Sequence, residues 1–173
     1  MALTFSIIQR DDQPVFSFRT STSMRDLPET ILSALAKVTR LLSDRGILPG
    51  GPPFVGYFNL DMNDMAVEIG YPIKYAIAED AEVKVRTIPG GPAGVCLYTG
   101  PYQELATAYQ QLNAYIESQG CEPTGISYEF YLNDPAVTPP DKLETQIVFP
   151  LIQASSRNKE RPQGNGRIHS LYW

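Results

Sequence analysis

A short alternating run, YEFYL, carries the side chains best suited to chemistry in this sequence. Successive side chains of a β-strand point to opposite faces, so Glu129 and Tyr131 share one face. The other face carries Tyr128, Phe130 and Leu132. If this second face packs on a helix, the carboxylate and the phenol face a cleft on the opposite side of the strand. The alternative is a strand face that simply meets water.

A carboxylate beside aromatic rings attracts a cation both by charge and by cation–π interaction, and a low local dielectric strengthens both. Glu129 is therefore a candidate ligand-binding residue. In an enzyme it would be the general acid or base, aided by a tyrosine hydroxyl, which requires desolvation to raise its pKa. The sequence assigns no other catalytic residue.

Histidine and cysteine are too scarce for most other chemistries. His169 is the only histidine, and Cys96 and Cys121 are the only cysteines, without CxxC spacing. This excludes a structural zinc site and the usual Ser-His and Cys-His nucleophiles. We expect neither a metal nor a cofactor.

The composition is that of one domain rich in short strands. Of 173 residues 43% are hydrophobic, and 15 prolines and 13 glycines favour turns. Without the basic segment 155–173, the body keeps 10 basic and 18 acidic residues, a net charge of −8. Such a body repels phosphate backbones, so we expect no nucleic-acid binding by the folded domain. The apolar start is too short for a signal peptide and no stretch could span a membrane, which favours a cytoplasmic protein.

The chain repeats itself. AVEIGYPI near residue 70 matches ETQIVFPL near residue 148, and VGYFNLD matches YEFYLND upstream of them. Each half also contains a helical pattern that stops at a glycine, Gly46 or Gly120. Residues 3–73 and 81–151 are therefore predicted to be duplicated ββαββ units of an α+β fold with about eight strands and two helices.

Local signals place the helices and turns. Asp26 and Glu29 are spaced as a capping box before the first helix, and Gly100-Pro101 as the start of the second. The turns QRDDQP and PGGP predict that each half begins with a hairpin. Strands are expected at 4–9, 15–20, 54–60, 65–71, 82–88, 93–98, 126–132 and 144–149.

Three further aromatic residues are candidate ligand contacts. Tyr71 and Phe149 hold equivalent places in the two closing strands, where an aromatic before proline either fills the core or meets ligand. Aligning the repeats puts Gly56 at the position of Glu129, which would turn Tyr57 towards the helix.

The segments VRTIPGGPAGVCLYTGPYQEL, YEFYLNDP, IVFPL, GPPFVGYFNLD and VEIGYPI together resemble the GyrI-like small-molecule-binding domain, the effector domain of multidrug-sensing and AraC-type regulators. The resemblance spans roughly Leu3 to Leu151. It implies a pseudo-twofold fold with a central cleft for lipophilic, often cationic ligands. It also makes Glu129 the counterpart of a cleft glutamate, and it favours Tyr57 as a pocket residue.

The regulators of this family carry a helix-turn-helix, which the sequence lacks. We therefore expect a stand-alone effector-binding domain over residues 1–152, followed by a flexible basic tail, 153–173. Free-standing relatives include gyrase-inhibitory proteins and hydrolases of cyclopropane-containing compounds. The resemblance leaves both open as alternatives to ligand capture, with an unknown protein partner in the first case.

Overall fold

The computed structural model of the protein describes residues 1–153, so almost all of the predicted tail lies outside the described residues. Eight antiparallel strands form one sheet in the order β1-β6-β8-β7-β3-β4-β2-β5. The strands are β1 Ala2–Arg10, β2 Gln13–Thr22, β3 Phe54–Tyr57, β4 Met65–Pro72, β5 Lys84–Ile88, β6 Gly91–Thr99, β7 Ser127–Tyr131 and β8 Glu144–Pro150. The helices are α1 Leu27–Asp44 and α2 Leu105–Ser118, with short 3-10 turns at Tyr102–Glu104 and Pro140–Lys142.

The α+β class and the element order ββαββ-ββαββ are as predicted. The strand order is symmetric about the contact between β3 and β7. Moving outward from this contact, the strands on one side are β4, β2 and β5, and those at the same positions on the other side are β8, β6 and β1. A duplicated unit with a twofold axis at this contact would give this order.

The predicted hairpins are wrong. β1 pairs with β6 and β5 pairs with β2, so the first strand of each half joins the sheet of the other half. The two turns instead pack together, where the Gly90 backbone N–H donates to Asp12 Oδ1 at 2.6 Å. Leu3, Phe5 and Ile7 of β1 pack in the cluster beneath α2, which ties β1 to the second half.

Both helices bury one stripe. α1 buries Ala34, Val38 and Leu42, spaced four residues apart, and α2 buries a stripe of the same spacing, Ala108, Leu112 and Ile116. Gly46 and Gly120 follow the helices with φ of 64° and 71°, the left-handed conformation expected at a helix end.

The predicted helix starts are only partly right. Asp26 precedes α1 but its side chain caps no backbone N–H, and its carboxylate accepts from Ser23 Oγ at 2.8 Å. Gly100-Pro101 leads into the 3-10 turn, so α2 begins later, at Leu105. No helix within residues 1–153 is long and apolar enough to cross a membrane.

Candidate functional site

Glu129 lies at the centre of the sheet, between the two helices. In the strand register it is opposite Val55 of β3 on one side and Ile147 of β8 on the other. Directly paired residues share a face of the sheet. Val55 belongs to the cluster that includes Ala34 of α1, and Ile147 to the cluster that includes Leu112 of α2. Glu129 therefore faces the helix side of the sheet, at the seam between the two clusters.

This corrects the predicted orientation of the strand. Tyr128 and Phe130 do not pack on a helix. They lie on the opposite face, in a buried cluster made by sheet residues such as Val15, Phe54 and Val148. The alternation along β7 is as predicted, but its two faces are exchanged. α1 contacts β2 and β4, and α2 contacts β6 and β1, so the helix side of β3 and β7 lies between the helices.

Two phenols hold the carboxylate. Tyr109 of α2 donates to Glu129 Oε1 at 2.6 Å, and Tyr131 donates to Glu129 Oε2 at 2.7 Å. Only 7% of the glutamate is exposed. Within residues 1–153 it forms no salt bridge with a basic side chain.

The charge of Glu129 is therefore buried with hydrogen bonds but without a cation. Desolvation raises its pKa, and the hydrogen bonds from Tyr109 and Tyr131 oppose that rise. The pKa values of both phenols are raised well above the ordinary value, first by burial and then by the nearby carboxylate. Both tyrosines thus remain neutral donors.

A second buried carboxylate shows the contrast. Glu68 of β4 is 3% exposed and lies on the other face of the sheet. It accepts from Ser17 Oγ at 2.6 Å and forms a salt bridge with Arg19, whose Nη2 lies 2.8 Å from Oε2. Glu68 is compensated by a basic side chain in the usual way for a buried acid, and Glu129 is not.

Tyr57 faces the helix side, as the repeat alignment predicts, but it shares this face with Glu129 and does not lie opposite it. It is two residues from Val55, as Tyr131 is two residues from Glu129, and the two strands are antiparallel. Tyr57 and Tyr131 therefore lie on the same face, on opposite sides of the Val55–Glu129 pair. The pKa of Tyr57 is raised by burial and then by the charge of Glu129.

The two other candidates lie further out. Phe149 packs against the ring of Tyr109, with centroids 5.3 Å apart. It therefore supports the phenol that donates to Glu129 but does not itself hydrogen-bond the carboxylate. Tyr71 packs with Phe16 beneath α1, and its hydroxyl accepts from Thr39 at 3.2 Å. None of the hydrogen bonds of Glu129 involves Tyr71.

Sequence reasoning missed three residues near the carboxylate. Tyr109 lies at the border of the apolar stripe of α2, where a phenol needs a hydrogen-bond partner, and that need is the signal that could have found it. Tyr102 follows the predicted helix start at Gly100-Pro101, and its ring meets that of Tyr131 edge-on with centroids 5.6 Å apart. Thr145 is opposite Tyr131 in β8, and its buried hydroxyl has no hydrogen-bond partner among the described residues. No pattern in the sequence distinguishes Thr145.

The family follows from a match to the model of the GyrI-like small molecule binding domain over residues 3–152. The chain belongs to this family. Small-molecule binding is thus the general function of the domain, and the GyrI-like resemblance predicted from the sequence is confirmed. Among curated protein sequences, none matches the chain.

Solved structures share the GyrI-like fold at low sequence identity. The EcmrR C-terminal domain is 17% identical with a TM-score of 0.71, over 89% of this chain and all of that one. EcmrR in a complex with DNA is 18% identical with a TM-score of 0.75 over 86% of this chain, but this chain spans only 57% of that one. SAV2435 bound to tetraphenylphosphonium is 14% identical with a TM-score of 0.61, over 87% of this chain and 94% of that one.

Proposed function

We propose that this GyrI-like domain captures a lipophilic organic cation between its two helices, over Glu129. The observation that carries the proposal is the buried carboxylate that no described basic side chain neutralises. A ligand cation would supply the missing positive charge, in an environment where the attraction is stronger than in water.

The aromatic surroundings suit such a ligand. Tyr57, Tyr102, Tyr109 and Tyr131 surround the carboxylate, and their rings offer both apolar area and cation–π contact. Tyr109 and Tyr131 each donate a hydrogen bond to one oxygen of Glu129, so both oxygens have a donor without any N–H group from the ligand. The structural neighbour SAV2435 binds such a cation, tetraphenylphosphonium.

A matched pair of ligands tests the proposal. Tetraphenylphosphonium should raise the melting temperature of the full chain, and the uncharged triphenylphosphine oxide should raise it much less. Ligand at a hundredfold excess over its dissociation constant stabilises the fold by about 2.7 kcal/mol, which a thermal-shift assay resolves. Equal stabilisation by both compounds, or by neither, would reject charge selection.

A hydrolase of reactive small molecules is the second candidate. The pKa of Glu129 is raised by desolvation, as a general acid requires. A structural neighbour is a hydrolase from Listeria innocua, 14% identical with a TM-score of 0.62 over 86% of this chain and 92% of that one. Product formation from a strained electrophilic substrate, lost in Glu129→Gln, would favour hydrolysis over capture.

A further inference from the structure

Strand β1 is an open edge of the sheet. It pairs with β6 through nine residues on one side. Within residues 1–153, no backbone group pairs with its other side. The strand contains neither proline nor glycine, and its only charged side chain is Arg10, at its end. A long edge of this kind is a template for pairing with another strand.

The opposite edge strand, β5, is protected against pairing with another chain. It occupies the position in the second half that β1 occupies in the first. It has five residues, and two of them, Lys84 and Arg86, are charged. The backbone N–H of Val85 donates to Glu79 Oε1 at 3.1 Å, so the preceding loop occupies a donor of the edge. Proteins protect exposed edges in these ways against pairing, and β1 lacks both forms of protection.

The helix next to β1 is also depleted of charge. Tyr115 of α2 stacks on Phe5 with ring centroids 5.5 Å apart, which identifies the side of the helix that faces β1. Gln111 and Ser118 lie one turn away on that side and are exposed. α2 has one charged residue, Glu117, which does not lie on the side that faces β1. By comparison, α1 has four charged residues. Depletion of charge is typical of the centre of a protein interface.

We propose that two copies of the chain associate through their β1 strands, antiparallel across a twofold axis near Ser6. This arrangement places Phe5 beside Ile7 of the second copy on the helix side, and Thr4 opposite its Ile8 on the other side. No charge meets a like charge within this span. A second copy of the chain fits this edge because its own β1 is an extended strand, is uncharged before Arg10 and is apolar on the helix side. Glu129 lies on β7, three strands away from β1, so this pairing does not cover it.

Charge placed on the edge tests the proposal. The full chain should have twice the monomer mass in light scattering, and Thr4→Lys/Ile8→Lys should have the monomer mass. Both positions are exposed, with Ile8 at 41%, so the fold should persist, and the melting profile checks it. The matched control is Thr87→Lys, an exposed position on β5, which should remain a dimer.

Hydrogen exchange of the unaltered chain gives an independent readout. Outward amides of residues 2–10 should exchange more slowly as the protein concentration rises, while those of β5 should not change. Tetraphenylphosphonium binding should be the same in the double lysine variant. A monomeric wild-type chain, or a dimer that survives both lysines in a folded variant, would overturn the proposal.

Discussion

At the scale of single residues, the main feature is a carboxylate whose surroundings disfavour its own charge. Burial raises the pKa of Glu129, so folding disfavours the charged form of this carboxyl. Its two phenol hydrogen bonds only partly offset this. A site adapted to bind a cation is expected to lower the stability of the folded protein when no cation is bound.

Glu129→Gln should therefore stabilise the free protein at neutral pH. When folding raises the pKa of a carboxyl, the folded protein loses stability as the pH rises from the unfolded pKa, 4.5, through the folded pKa. The amide avoids this loss and can still bond both phenols. We expect a gain of about 1 kcal/mol, or about 2–4 °C in melting temperature, at pH 7. The control Glu68→Gln weakens the salt bridge to Arg19 and should lower the melting temperature; the same response in both variants would contradict this account.

Removing either phenol should change the pH dependence of binding. Tyr109 and Tyr131 both lower the pKa of Glu129, so Tyr109→Phe or Tyr131→Phe raises it further. Because protonation removes the attraction for a cation, affinity should fall as the pH drops through that pKa. In either variant the fall should begin at a higher pH than in the wild type. Titrations of tetraphenylphosphonium across acidic pH measure this, with Tyr115→Phe, on the far side of α2, as the unchanged control.

At the scale of elements, the position of α2 depends on a close approach to the sheet. A β-carbon added at Gly94 of β6 would overlap Ile116 of α2. Since α2 also carries Tyr109, displacing this helix would displace a hydrogen-bond donor to Glu129.

Gly94→Ala should destabilise the protein by about 1–3 kcal/mol through this overlap. Ile116→Val removes one overlapping methyl group, so the double variant should be less destabilised than the two single effects added together. Denaturant titration of the four proteins gives the coupling. Strict additivity would mean that α2 does not rest on Gly94 as described.

The elements themselves could be read from the sequence because their signals are local. Periodicity located all strands and both helices, and the glycines after the helices marked their ends. Strand pairing was missed because it depends on distant packing: the turn at 9–14 allows a hairpin, but Leu3 and Phe5 pack, partly buried, in the cluster under α2. The face of Glu129 was missed because both faces of β7 are covered by protein, and alternation separates the faces without identifying them.

At the scale of the whole molecule, the exchange of first strands makes the two halves interdependent. Within residues 1–153, β1 pairs only with β6, and β5 pairs only with β2. Each half taken alone would lose the partner of one strand and expose part of a helix cluster. The duplication of 3–73 and 81–151, and the absence of DNA binding by the acidic body, stay predictions.

Separate chains of residues 1–80 and 81–173 should accordingly be unfolded alone and fold when mixed. The cut falls in the exposed loop between β4 and β5, near Tyr75, so it breaks no strand. Circular dichroism and melting of each fragment, and of the mixture, measure this. A cooperative melt from either fragment alone would contradict the interdependence.

The most direct measurement of the central claim is calorimetric titration of tetraphenylphosphonium and of triphenylphosphine oxide into the wild type and Glu129→Gln. The substitution keeps the shape of the site and removes only its charge. Affinity for the cation should weaken by about 1–3 kcal/mol, the range for charge-assisted contacts, while affinity for the neutral compound should change little. Equal loss for both compounds would show that Glu129 shapes the site without selecting charge, and no loss for either would contradict the assignment of the site.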